Sequence, residues 1–172
     1  MEEIDLVYCP RCGTETKKED FNLRICLKCD YKRFLNPRPT SAVILENDQN
    51  QILLVVRRFD PKKGTLDLPG GFIDIGEETA EDSARREIKE ELGIDIDKLS
   101  YFGTFVDKYE FSGVVETTMS LGFSAKFPED QSIIVSDDIS DAKWFDRDKV
   151  PYGEIGFEKM RKAIKTYVLN RI

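Results

Sequence analysis

The sequence predicts an α/β sandwich preceded by a small metal-bound ribbon, and three observations predict it. The stretch 79–93 carries the four-residue apolar repeat of a helix, with Ala80, Ala84, Ile88 and Leu92 on one stripe. On both sides of it the pattern turns to strands, most clearly where Val115, Thr117, Met119, Leu121, Phe123, Ala125 and Phe127 alternate with Glu116, Thr118, Ser120, Gly122, Ser124 and Lys126. Finally, all 4 cysteines fall near the start of the chain as two CxxC pairs.

A chain of 172 residues can bury one good core and at most a small satellite module. Its 40% hydrophobic and 34% charged residues are ordinary for a globular protein. It has no long apolar run and no cationic-then-apolar start, so neither a membrane span nor a secretion signal is expected, and the expected location is cytoplasmic. The formal net charge of -7 disfavours a surface that tracks nucleic-acid phosphates, and nucleic acid is not an expected partner. There is no histidine. Triads that depend on imidazole are excluded, and any acid or base working near neutral pH must be a carboxylate, Lys, Tyr, Cys or metal-bound water.

Residues 1–36 read as a zinc ribbon and 37–172 as the main domain. Cys9-Pro10-Arg11-Cys12 and Cys26-Leu27-Lys28-Cys29 offer four thiolates at the spacing of paired zinc knuckles. With no fifth protein ligand offered, a closed site of this kind is structural. Two disulfides are disfavoured in a reducing compartment, and a redox motif needs only one pair. So short a segment has little core, so metal should supply most of its folding energy. Its cations and acids balance, which favours a structural or dimerising appendage over a nucleic-acid binder.

Asn36-Pro37-Arg38-Pro39 is an extended hinge, because each proline biases its predecessor away from helix. Two β-rich runs follow, Thr40 to Leu45 and Gln51 to Arg58, joined by a turn-prone polar segment. The glycines of Pro69-Gly70-Gly71 and Gly76 then let the backbone take positive φ and approach a ligand closely. Glycines leading into a helix N-terminus also suit a phosphate.

Thr79 is the expected N-cap of the helix, with Asp82 completing a capping box and Gly93 closing it. On that helix Glu87, Glu90 and Glu91 stand at i, i+3 and i+4, so their carboxylates share a face. Their mutual repulsion, a few tenths of a kcal/mol per pair, calls for a cation, and oxygen-only ligands suit Mg²⁺ or Mn²⁺. Glutamate-rich faces are often merely solvated. These three, however, flank the apolar stripe while Arg85 and Lys89 point away, which puts them at the rim of the core, where a charge needs a reason.

After Ile94, strands are expected over Leu99 to Phe111 and along the alternating run, read as half-buried with Met119 and Phe123 as plain core. A polar loop from Pro128 to Asp141, a short strand over Ala142 to Phe145 and a closing helix from Glu154 to Arg171 complete the chain. The inner side of that helix is Ile155, Met160, Ala163, Ile164, Tyr167 and Val168.

The run Arg86-Glu87-Ile88-Lys89-Glu90-Glu91-Leu92-Gly93-Ile94, behind glycines and an acidic loop, resembles the tail of the Nudix box at every fixed position. The resemblance covers about residues 38 to 170 and implies a Nudix-type α/β/α sandwich with a mixed sheet. It implies a pyrophosphatase: Mg²⁺-dependent attack of water on a nucleoside diphosphate linked to another group. By similarity Glu87 and Glu91 are direct magnesium ligands, Glu90 shares the metal or deprotonates water, and Arg86 holds a box glutamate by ion pair. Gly71 lets the backbone come near the metal, and Gly70, Gly71 and Arg58 are the candidate substrate-binding residues. Counting from Gly71 gives Glu77 as the upstream box glutamate, and counting back from Arg86 gives Glu78. The helix register favours Glu78. Glu116, Asp137, Asp138 and Asp141 are candidate bases outside the box, and Phe59, Tyr101 and Tyr109 could stack on a nucleobase. The ribbon also resembles that of NADH pyrophosphatases, but their Ser-Gln-Pro-Trp-type signature is missing, and Trp144 lies late on a strand. Ribbon-bearing members without it resemble ADP-ribose pyrophosphatases, so an ADP-ribose-like substrate is expected, with NADH as the alternative. A catalytically idle sensor or partner-binding module would usually have lost a helix glutamate, and none is lost. A homodimer is a further expectation of the resemblance.

Overall fold

A computed structural model describes residues 7–170. The chain divides into two compact units, one formed by Met1–Arg38 with Lys108–Thr117 and the other by Pro39–Asp107 with Thr118–Ile172.

The first unit is built on a three-stranded antiparallel sheet of β1 (Thr16–Asp20), β2 (Leu23–Cys26) and β3 (Lys32–Phe34). Two cysteine-bearing turns flank it. In the first, the Gly13 N–H donates to the Cys9 carbonyl at 2.9 Å, with Gly13 at φ 70°. In the second, the Lys28 and Cys29 N–H groups both donate to Cys26 Sγ at 3.4 Å. Among the described residues of this unit little else is buried. Arg24 is, and it donates to the Thr16 hydroxyl at 2.7 Å and to the Thr16 carbonyl at 2.8 Å.

The second unit is organised by a sheet whose strands are β4 (Arg38–Glu46), β5 (Gln51–Arg57), β6 (Leu66–Asp67), β7 (Ser100–Phe111), β8 (Val114–Lys126) and β9 (Ile139–Asp146). Their order is β6-β5-β4-β8-β7, with β9 also on β5. The β4–β5, β5–β6 and β5–β9 pairings are antiparallel, and a parallel bridge joins Leu66 to Ile155. Helix α1 (Ala80–Leu92) lays Ala84, Ile88 and Leu92 on Val43, Leu45, Leu53, Val55 and Phe123. Helix α2 (Glu158–Asn170) meets the sheet through Met160, Ala163, Ile164 and Tyr167. The strands β4 and β5 are therefore buried on both faces and read as continuous apolar runs.

Three expectations are corrected. Strand β8 is not half-buried with its hydroxyls in water: Thr118 and Ser120 are fully buried, while Met119 and Leu121 are only partly so. Both faces of the sheet are covered, and the small polar residues are satisfied inside. The Thr118 hydroxyl accepts from Lys159 Nζ at 2.8 Å, and Ser120 shares a 2.5 Å hydrogen bond with Thr40. The closing helix begins at Glu158, not Glu154, after a 3₁₀ turn over Tyr152–Glu154. Ile155 is buried as the apolar period requires, but on extended backbone (ψ 125°), where Gly156 N–H donates to Leu66 O at 3.0 Å. The expected end of this helix, Arg171, lies outside the described residues. The last strand starts at Ile139, inside what reads as a polar loop, because the ladder with β5 outweighs the polarity of Ser140 and Asp141. Among the described residues no helix is long and apolar enough to cross a membrane.

Candidate active site and metal centre

The first turn of α1 is fixed by the capping box: the Asp82 N–H donates to the Thr79 hydroxyl at 3.1 Å and the Thr79 N–H to Asp82 Oδ2 at 3.2 Å. Gly93 closes the helix in the left-handed conformation, φ 72°. Its last carbonyls are taken up by the following loop. Ile134 N–H donates to Leu92 O and Ser136 N–H to Glu91 O, both at 2.9 Å, and the Ser136 hydroxyl bonds the Glu90 carbonyl.

Between these fixed ends the three glutamates have different surroundings. Glu91 is 4% exposed, and its Oε2 accepts the Gly70 N–H at 3.1 Å. Burial pushes its carboxyl well above the usual carboxylate range, opposed by the Gly70 N–H and reinforced by the negative charges of Glu87, Asp67 and Asp138. Glu87 is also raised, by burial, although Arg86 pulls it down. Glu90 is exposed.

Arg86 is the hub. Its Nε and Nη2 grip Glu78 at 2.7 and 3.2 Å, its Nη1 reaches Glu87 at 2.8 Å and Glu90 at 2.9 Å, and Nη2 also donates to Phe72 O at 3.0 Å. The hydrogen bond from Arg86, together with the Asp74 N–H, holds Glu78 below its ordinary value. Glu77 is exposed and has no such partner among the described residues. Of the two glutamates that the spacing offers, it is Glu78 that meets the arginine.

The glycine loop lies directly against this helix. Gly70 is at φ 139°, and a Cβ there would strike the Ser41 carbonyl; a Cβ on Gly71 would run into the Glu87 carboxylate. These close approaches are what two successive glycines permit. The all-oxygen donors, raised carboxyls and side-chain-free cradle at Gly71 fit a hard divalent cation such as Mg²⁺.

Asp137 and Asp138, though exposed, are close enough that Asp137 raises Glu87 and Asp138 raises Glu91. The Asp138 carbonyl accepts the Arg58 N–H at 2.8 Å, and the half-buried Arg58 guanidinium has no partner among the described residues. The other candidate bases lie elsewhere: Glu116, in the first unit, pairs with Arg38 at 2.7 Å, and exposed Asp141 pairs with Lys143 at 3.2 Å. Among the stacking candidates, Tyr101 packs edge-on to Phe123 with centroids 6.0 Å apart, Tyr109 is half-buried and Phe59 is exposed. Trp144 packs edge-on to Phe127.

Sequence reasoning missed Asp67. It is 4% exposed, its carboxyl is raised by burial despite Arg57 at 3.1 Å and the Leu68 N–H at 2.9 Å, and its charge acts on Glu91. The available signal was a lone acid between Leu66 and Leu68, both core residues.

In the first unit the sulfurs of Cys9, Cys12, Cys26 and Cys29 lie within 4.8 Å of one another, and all four are free thiols. The Cys12–Cys26, Cys12–Cys29 and Cys9–Cys29 separations are 3.5, 3.6 and 3.8 Å. A tetrahedron with Zn–S bonds of about 2.3 Å has edges of about 3.8 Å, so the cluster has the size for zinc.

A sheet between two helices sets a carboxylate-lined helix against a glycine loop, an arrangement of oxygen donors and open backbone that suits a divalent cation. The chain belongs to the NUDIX family of hydrolases, whose domain profile matches residues 36–167. It is 30% identical over 145 residues to the NAD-capped RNA hydrolase NudC of Haemophilus influenzae, a match covering 83% of this chain and 52% of that one. The chain thus spans about half the length of the curated relatives it matches. Among solved structures, a MutT NUDIX hydrolase from Burkholderia pseudomallei is 26% identical with a TM-score of 0.64, covering 76% of this chain and 98% of that one. The NUDIX domain of Shewanella oneidensis NrtR, solved with ADP ribose, is 22% identical with a TM-score of 0.66, covering 81% of this chain and 91% of that one, and bears on the fold alone.

Proposed function

We propose that this protein is a Mg²⁺-dependent pyrophosphohydrolase that cleaves a nucleoside diphosphate linked to another group, with ADP-ribose as the expected substrate. The observation that carries this reading is the buried Glu91 carboxylate, raised in pKa and set on the Gly70 N–H beside Glu87. A protein does not ordinarily bury such a group without a cation to meet it. A bound metal would supply charge neutralisation for the pyrophosphate and a water of lowered pKa.

The chain's own residues do the rest. Glu87 and Glu91 would hold the metal, with Glu90 on the open side able to share it or to take a proton from water. Arg86 orients Glu78, Glu87 and Glu90 from one planar guanidinium. Gly70 and Gly71 would let the substrate's phosphates approach, and the Arg58 guanidinium, which has no partner among the described residues, would bind one. Asp137 and Asp138, whose loop is tied to the helix end, are the candidate bases from outside the box. A second reading, an NAD- or NADH-type dinucleotide as substrate, is favoured by the names of the curated relatives. Residues 1–36 would form a structural zinc ribbon ahead of a hydrolase domain over 37–172, and a homodimer is in keeping with the family.

The test is release of AMP from ADP-ribose, NAD⁺, NADH, diadenosine polyphosphates and nucleoside triphosphates with Mg²⁺, beside Glu91→Gln. Turnover of ADP-ribose, reduced by a factor of about a thousand or more in the variant, supports the first reading. Preference for NAD⁺ or NADH supports the second. Silence across the panel, with Mg²⁺ still bound, would leave a ligand sensor instead.

A further inference from the structure

The four sulfurs of the first unit are not equivalent. Cys9 and Cys26 are 3% and 1% exposed, whereas Cys29 is half-buried and Cys12 is exposed. Each CxxC pair thus has one inner and one outer member. The two outer members belong to different pairs, and their sulfurs are 3.6 Å apart.

Backbone position separates inner from outer again. Cys26 is the last residue of β2, and its sulfur accepts the Lys28 and Cys29 N–H groups at 3.4 Å. Cys9 is tied at both ends of its own peptide, its N–H donating to Thr14 O at 2.8 Å and its carbonyl accepting from Gly13 at 2.9 Å. Cys12 and Cys29 lie in the two turns, outside any strand. An S–S bond of about 2.05 Å requires the sulfurs of Cys12 and Cys29 to close by about 1.5 Å. Turn residues can supply that movement, and a strand end is the poorer candidate.

A sulfur that ligates zinc does so as the thiolate, which is also the form that attacks an electrophile. Cys12 therefore combines thiolate character with access from solvent and a second sulfur beside it, the traits of a cysteine that is oxidised reversibly. Its buried neighbours lack the access.

We propose that Cys12 is a site of reversible oxidation by hydrogen peroxide, closed by Cys29. The Cys12 thiolate attacks one peroxide oxygen, the O–O bond breaks, and hydroxide leaves a sulfenic acid behind. The Cys29 thiolate then attacks the Cys12 sulfur, forming the S–S bond and expelling a second hydroxide. The two sulfurs give up two electrons, the peroxide takes both, and two solvent protons turn the hydroxides into water. Two of the four ligands are consumed, so one zinc ion is released for each bond formed. Among its described residues the unit buries little else, so it loses its main support at the same step. Thiol reductant with zinc restores it. A redox CxxC closes within one pair, and here the bond joins the two pairs. The inference does not rest on what the glutamate site hydrolyses.

The test is to treat the zinc-loaded full chain with hydrogen peroxide and follow zinc release with a chromophoric chelator too weak to strip the untreated protein. Samples are alkylated at intervals and their disulfides mapped by mass spectrometry. One zinc per disulfide, a first bond between Cys12 and Cys29, and reversal by dithiothreitol with added zinc are expected. Cys12→Asp keeps four ligands, since zinc accepts a carboxylate oxygen, and should release zinc about tenfold more slowly or slower still. Cys29→Asp leaves Cys12 open to attack but unresolved, so it should accumulate a sulfenic acid that dimedone traps. Zinc content before peroxide shows whether each variant is folded, and the bond map of the parent chain decides the matter where a variant has lost its metal. Zinc retained under peroxide, a first bond within one CxxC pair or onto Cys26, or release from zinc-loaded Cys12→Asp as fast as from the parent would overturn the proposal.

Discussion

Glu91 accepts a single hydrogen bond among the described residues and is almost without solvent, so its charge is a burden until a cation arrives. Below the ordinary glutamate range, near 4.3, the group is protonated in both folded and unfolded chains and costs nothing. As pH rises the unfolded chain ionises first, because burial raises the folded carboxyl, so stability is lost toward neutrality. Metal-free Glu91→Gln escapes that loss. Its lead in thermal midpoint over the parent should be larger at pH 7.5 than at pH 4.5, measured without chelator so that the ribbon keeps its metal. An equal lead at both pH values would sink the argument. Gly71→Ala tests the cradle: the added methyl displaces the Glu87 carboxylate and not backbone, so turnover should fall about tenfold or more while stability changes by less than about 0.5 kcal/mol. A large loss of stability with turnover intact would assign Gly71 to folding. At this scale the placement of Glu87, Glu90 and Glu91 on one helix, and the meeting of Arg86 with Glu78, were legible because helical register fixes them. Asp67 was not, since its importance comes from a fold that buries it beside a helix distant in sequence.

Helix α1 carries its own boundary signals, and Thr79 and Gly93 do what their residue types imply. Thr79→Ala should cost about 1 kcal/mol, read as a lower urea midpoint with an unchanged m-value; no change would mean that packing alone sets the helix start. Helix α2 is held differently. Tyr167 donates its hydroxyl to the buried Glu46 at 2.6 Å, where Arg147 and Lys126 also converge at 3.4 and 3.1 Å. Although burial works against it, the Tyr167 hydroxyl and these cations keep Glu46 below its usual value, and Tyr167 is pushed up to about 12. Tyr167→Phe should therefore cost about 1.5–3 kcal/mol at neutral pH, a penalty that shrinks as acid protonates Glu46. The start of α2 was misread because Ile155 is buried for a reason that periodicity cannot distinguish, a strand-like bridge to Leu66. The polarity of β8 misled in the same way: a hydroxyl face looks solvent-facing until a second helix, carrying Lys159, is laid over it.

For the molecule as a whole, the unit that holds the two CxxC pairs has little apolar interior, and among its described residues little is buried besides Cys9, Cys26, Thr16 and Arg24. Stripping the metal with a strong chelator should melt the cysteine-bearing unit first, seen as loss of protection in residues 7–38 by hydrogen exchange before the α1 core opens. Simultaneous opening of both would mean one cooperative body. What the linear sequence did not reveal is that the tip of the β7–β8 hairpin, Lys108–Thr117, belongs with the N-terminal residues. The backbone therefore passes from one unit to the other at three places, near residues 38, 107 and 117. In the history of such a gene the ribbon is then no detachable cassette. A recombination event that brought in a new first segment would leave behind a hairpin tip shaped for the old one, so leader and tip are expected to have changed together.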